Sequence, residues 1–291
     1  MKKALPLFLI CILICCGAHA QRTEVYNPHI HTVQVIANND YMAPAAIRLG
    51  EGETVEISFD HLTHDYHRYQ YVLTHCNADW TPSDLSETEY LDGFNDNPIE
   101  DHDISVNTTL PYTHYRLTLP NDQVRPKLSG NYRLVVYDDA EGKNKPAFST
   151  CFRILEKEVN ISAQVSSDTE IDRNKTHQQV SFSIQHKGYP IRNPQNEIKV
   201  HVLQDNRTDN EVTNLQPSYV GPDQLRYEHN RALIFPAGNE YRRFEMVSTR
   251  YASQGVESIR YHAPYYHVTL QPDLPRPVSY THLTLPTILR V

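Results

Sequence analysis

Asp60, His61, His64, Asp65 and His67 place three imidazoles and two carboxylates within eight residues. Donors of this kind suit a divalent first-row metal. They fall, however, between an apolar run ending at Phe59 and another starting near Tyr66. Extended or turning backbone sends such close neighbours to different faces. A polar connection between strands is the plainer reading, and no metal site is expected. A second concentration follows, in Asp79, Asp84, Glu87, Glu89, Asp92, Asp96, Glu100, Asp101 and Asp103. Two carboxyls about 5 to 10 Å apart in a cleft would hydrolyse a glycoside. Asp92 to Asn97 also faintly matches a calcium loop, without its regular ligand ladder or closing bidentate Glu. A solvated acidic loop accounts for the segment with fewer requirements.

Trp80, Tyr90 and Phe94 share that loop. Aromatic rings on a loop stack on sugars or anchor a protein interface. Trp80 is the sole tryptophan, and it fits the core end of a sandwich equally well. The chain holds no Gly-x-Ser-x-Gly elbow, Walker loop or HExxH helix, so no catalytic residue and no cofactor is expected.

The elements that would position these residues are strands. Val33, Val35 and Ala37 alternate with polar neighbours, as do Val55, Ile57 and Phe59, and Tyr69, Tyr71 and Leu73. Tyr115, Leu117 and Leu119 repeat the pattern, followed by Tyr132, Leu134 and Val136, and by Phe148, Thr150, Phe152 and Ile154. Each has the period of two that buries one face of a strand. Turn residues at Gly50–Gly52, Pro120–Asp122, Ser129–Asn131 and Glu141–Gly142 separate them at sandwich-like spacing. Gly130-Asn131-Tyr132-Arg133-Leu134 resembles a tyrosine-corner strand, in which the phenol turns back onto the backbone. A short helix fits within Pro82–Leu91, with Ser83 as its cap. Glu156-Lys157-Glu158 marks a domain boundary. Beyond it Ile161, Ala163 and Val165, then Val180, Phe182 and Ile184, then Ile198, Val200 and Val202 read as further strands, and Phe244 and Met246 begin a weaker one. The expected fold is all-β: tandem immunoglobulin-like β-sandwich domains of antiparallel sheets, over residues 21–157 and 158–277, the second cut short.

Lys2 and Lys3, an apolar run from Ala4 to Gly17 and Ala18-His19-Ala20 form a signal peptide over residues 1–20, with cleavage after Ala20. A lipid anchor would need a small residue before Cys16, where Cys15 stands. No later run reaches the roughly 18 apolar residues of a spanning helix. Residues 278–291, VSYTHLTLPTILRV, resemble translated sequencing-adapter sequence and are read as a non-native tail. Of the five cysteines, Cys76 and Cys151 lie outside the leader. An export compartment permits a disulfide between them, while two buried free thiols fit equally well. The formal charge of −8 becomes −10 without Lys2 and Lys3, which disfavours a nucleic-acid partner.

The runs HCNADWTPSDLSETEYLDGFNDNPIED (75–101) and YTHYRLTLPNDQVRPKLSGNYRLVVYDD (112–139) resemble the plug protein family of the type IX secretion system of Bacteroidetes. The likeness extends over about Asn27 to Arg276. It implies a periplasmic, non-enzymatic protein whose partner is the large outer-membrane β-barrel translocon, closed on its periplasmic side. On that reading Trp80, Tyr90, Leu91 and Phe94, with Arg125 and Lys127 nearby, form the partner contact. The alternative is a carbohydrate-binding sandwich module of a secreted glycan-degrading system, with Trp80 and Tyr90 as stacking platforms.

Overall fold

The computed structural model describes residues 23–63, 65–204, 207, 209–237, 244–272 and 287–289. The chain divides into two compact units at the junction of Lys157 and Glu158. In order, the first holds β1 (Glu24–Val25), β2 (Ile30–Ala37), β3 (Ala46–Arg48), β4 (Val55–His61), β5 (Tyr69–Cys76), α1 (Glu87–Tyr90), β6 (Leu91–Gly93), β7 (Asn97–Pro98), β8 (Asp101–Ile104), β9 (Thr113–Leu119), β10 (Val124–Pro126), β11 (Gly130–Asp138) and β12 (Pro146–Leu155). The second holds β13 (Asn160–Ser166), β14 (His177–Gln185), α2 (Pro194–Glu197), β15 (His201–Leu203), β16 (Tyr219–Val220), β17 (Gln224–Tyr227), a 3-10 turn (Arg231–Leu233), β18 (Ile234–Pro236), β19 (Val256–His262), β20 (Tyr265–Leu270) and β21 (Thr287–Leu289). The protein is all-β, with antiparallel sheets of the kind that build sandwiches.

Two main sheets and the small β6–β10 ribbon make the first unit. One main sheet runs β2-β4-β9-β8; the other runs β1-β12-β11-β5-β7, with β3 lying parallel to the end of β12. The alternation in sequence becomes alternation in burial. Val55, Ile57 and Phe59 of β4 point inward, as do Tyr69, Tyr71 and Leu73 of β5 and Tyr132, Leu134 and Val136 of β11. Phe59 joins the layers: its ring stacks on Tyr115 at 5.0 Å and meets Tyr69 and Phe148 of the facing sheet at 5.1 and 4.9 Å. Each such buried side chain contributes about 1.5–3 kcal/mol by leaving water.

The tyrosine corner is present. Tyr132 is fully buried, and its hydroxyl donates to the carbonyl of Leu128, four residues upstream, at 2.8 Å. Burial pushes the phenol pKa well above its ordinary value, so the group stays a donor. Tyr132→Phe is expected to cost about 1 kcal/mol, read from the urea midpoint of unfolding. The helix expected within 82–91 is one turn only and starts later than the sequence suggests. Ser86 rather than Ser83 precedes it, and the Glu89 carboxylate accepts from the Ser86 N–H at 2.7 Å.

The second unit is built on the sheet β13-β14-β17-β16, with β18 also on β14. Val180, Phe182, Ile184, Leu225, Tyr227 and Phe235 form its core. Ile198, Val200 and Val202 are buried as a strand would have them, yet only His201–Leu203 is extended and paired. Pro194 at the start of α2 diverts the preceding residues into a helical turn. Phe244 and Met246 are exposed and belong to no strand. The β19–β20 ribbon was not legible in the sequence, because its residues are mostly tyrosine, histidine and other polar types with few aliphatics. Residues 1–20 lie outside the described residues, as does the tail, apart from Thr287–Leu289, which pair with β15. Among the described residues no helix is long and apolar enough to cross a membrane.

Candidate functional site

The loop between β5 and α1 turns back at once. Asn77 to Trp80 close a tight turn, with the Trp80 N–H on the Asn77 carbonyl at 3.0 Å and the Asn77 N–H on the Thr81 carbonyl at 2.8 Å. Asp79 fastens it by accepting from the Thr81 N–H and hydroxyl at 3.1 and 2.6 Å. These bonds hold the carboxyl below the usual range. Trp80 sits in the left-handed region at φ 67°, and its ring covers the Arg153 guanidinium on the outer side of the β12-bearing sheet, 5.3 Å from the ring centroid. Only 5% of Trp80 is exposed.

Tyr90 and Leu91 are buried too. The Tyr90 hydroxyl donates to the Leu73 carbonyl at 3.1 Å, and both residues belong to the main core. The structure therefore corrects the expectation that Trp80, Tyr90 and Leu91 face a partner, because rings and aliphatic side chains this deep have no surface to offer. The same burial removes Trp80 and Tyr90 as platforms for a sugar.

Phe94 is the opposite case, with 85% of its surface exposed. It follows Gly93 at the end of the β6–β10 ribbon, where Gly93 pairs with Val124 and Asp92 with Arg125. A Cβ on Gly93 would stand 2.1 Å from the Gln123 carbonyl oxygen, and its φ is +98°; only glycine fits there. Asn95 then clamps the loop. Its side-chain oxygen accepts from the Leu73 N–H and its amide donates to the Leu73 carbonyl, both at 2.9 Å. Asp96 pairs with Lys143 at 2.6 Å and accepts from the Tyr137 hydroxyl. Arg125 and Lys127 are exposed, and each has a local partner. Arg125 reaches Asp122 at 3.2 Å, and the Lys127 ammonium donates to the Thr88 carbonyl. Of the six residues expected at the contact, Phe94, Arg125 and Lys127 thus remain at the surface.

The acidic residues of this segment largely hold the fold. Glu87 accepts from the Asn95 amide at 2.9 Å, Glu89 caps α1, and Asp101 and Asp103 both bind Arg116, at 3.1 and 2.6 Å.

The histidine-rich connection assembles differently from its sequence. His61 and His67 meet with ring centroids 4.2 Å apart, and His29, from just before β2, joins at 5.8 Å. His67 Nδ1 pairs with Asp138 at 2.6 Å. His64 lies outside the described residues. No group of three ligating side chains among the described residues could hold a metal. His61 is 3% exposed. Burial first, then the neighbouring His67 and His29, pull its pKa down to about 4. His29 and Asp138 were invisible to sequence reading, because strand order alone brings them here.

Cys76 and Cys151 are free. They sit on strands either side of β11, Cys76 opposite Asn131 and Cys151 opposite Arg133. Two strand spacings, roughly 10 Å, separate them, beyond the Cα range of about 4.4–6.8 Å for a disulfide. The disulfide held open by the sequence is thus excluded by strand order, and burial raises both thiol pKa values.

With this frame in place, residues 30–156 match the first domain of type 9 secretion system plug proteins. This segment belongs to that family. The match spans β2 to β12, with the tyrosine corner and the Phe94 loop. The chain is also similar to a hypothetical protein from Parabacteroides merdae of known crystal structure, at 49% identity and a TM-score of 0.74. That similarity covers 85% of this chain and 62% of the other, so the chain spans less than two thirds of that relative. No curated protein is similar to it.

Proposed function

We propose that this protein is a non-catalytic plug of type IX secretion, held in the periplasm, that binds the large outer-membrane β-barrel translocon and closes its periplasmic side. The observation that supports this reading is the match of residues 30–156 to the plug first domain. The physical requirements agree with it. A stopper for a wide pore needs a body of fixed shape, and a sandwich with an aromatic core joining both layers is one. Its contact must also be reversible, which favours a few exposed anchors over one broad apolar face. Affinity capture of the full chain from a detergent-solubilised envelope tests the reading. A stoichiometric giant β-barrel of the type IX machinery is the expected co-purifying protein. Retention on glycan with no barrel recovered would overturn it.

A further inference from the structure

We infer that Phe94 is the anchor of the first unit's contact, an aromatic knob on a fixed loop inside an acidic collar, which seats in an apolar pocket rimmed by lysine or arginine on the partner. The inference rests on the plug reading and names the chemistry of its interface. A single exposed aromatic is ordinary on a protein surface when it is free to move. The backbone that carries Phe94 is held in place. Gly93 precedes it in a conformation and a space that admit no side chain. The Phe94 carbonyl accepts from the Asn97 amide at 2.5 Å, Asn95 is clamped to both backbone groups of Leu73, and Asp96 is bound to Lys143. The backbone under a ring at 85% exposure is thus already ordered, so binding need not order the loop and costs only the side chain's own freedom.

Charge around the ring selects the partner. Asp92 lies two residues before it, Asp96 two residues after it, and Glu87 bonds Asn95 beside it. Asp122 stands fully exposed in the turn that leads to Gln123, whose carbonyl faces Gly93. Arg125 and Lys143 offset part of this, through Asp122 and Asp96 respectively, and Lys127 lies nearby on the Thr88 carbonyl, so four carboxylates stand against three cations. A like-charged rim would repel this collar, whereas a basic rim steers it in and fixes its register.

The test measures binding of the full chain to the purified type IX translocon barrel. Phe94→Ala is expected to weaken binding by at least about tenfold with melting unchanged, while Phe94→Trp retains it. Asp92→Asn with Asp122→Asn should weaken binding less and flatten its dependence on salt. If the unaltered chain binds and Phe94→Ala binds equally well, the anchor is wrong and the plug reading stands. If the unaltered chain binds with no dependence on salt, the basic rim is wrong. If the unaltered chain fails to bind the barrel, the plug reading and this inference fall together.

Discussion

Trp80→Ala should destabilise the first unit by about 3–5 kcal/mol, the range for removing a large buried aromatic. The ring is 5% exposed and covers the charged Arg153 head, itself buried. Without the ring, water reaches the outer side of β11 and β12, and the cation–π contact is lost. The backbone at Trp80 stays in its left-handed conformation, a strain that the packed ring now offsets and an alanine would not. Circular dichroism during urea unfolding measures the effect. A midpoint unchanged from the parent would show that the ring contributes nothing to the fold. Phe94→Ala, by contrast, should leave that midpoint in place, although both residues belong to the same aromatic-bearing segment.

Acidification gives the second large effect. His61 is neutral in the native state, with a pKa near 4 against about 6.5 when unfolded. The unfolded chain therefore binds a proton more readily between these values. The stabilisation is complete above pH 6.5, falls as pH drops, and is gone below about pH 4. Its size is up to about 3 kcal/mol. Burial is the main cause, and repulsion from His67 and His29 adds to it. Asp138 and Asp65 act in the opposite sense. His61→Phe keeps the ring packing and removes the titration. The difference in unfolding free energy between parent and variant should shrink or invert from pH 7 to pH 4. A difference that is flat over that interval would exclude His61 as the source.

The strands were legible because burial on one face imposes a period of two, and Val55, Ile57 and Phe59 or Tyr132, Leu134 and Val136 carry it without interruption. Tyr132 was legible down to its hydrogen bond, since a corner motif is local. The placement of Trp80 was not. Four residues of turn reverse the chain and fold the indole over the sheet that it has just left, and no period marks which side of a turn will be covered. The separation of Cys76 from Cys151 and the meeting of His29, His61 and Asp138 depend on strand order, which one sequence does not encode in any local pattern. Phe94 was named with its buried neighbours because composition does not distinguish a knob from a core ring. Gly93 was the available hint, as a glycine between Asp92 and an aromatic.

The clamp by Asn95 has a consequence for how the molecule behaves in a crowded compartment. Along β5, each of Tyr69, Tyr71, Leu73 and His75 has a partner on the side away from β11. The Tyr69 carbonyl takes the Ile99 N–H, Tyr71 pairs with Asn97, Leu73 is held by the Asn95 side chain, and the His75 carbonyl takes the Ser83 N–H. A sheet margin with these groups spent on two short segments, Asn95–Ile99 and the chain at Ser83, offers a poorer template for a stray strand. Asn95 thus covers the stretch at Leu73 between those two segments as well as shaping the loop.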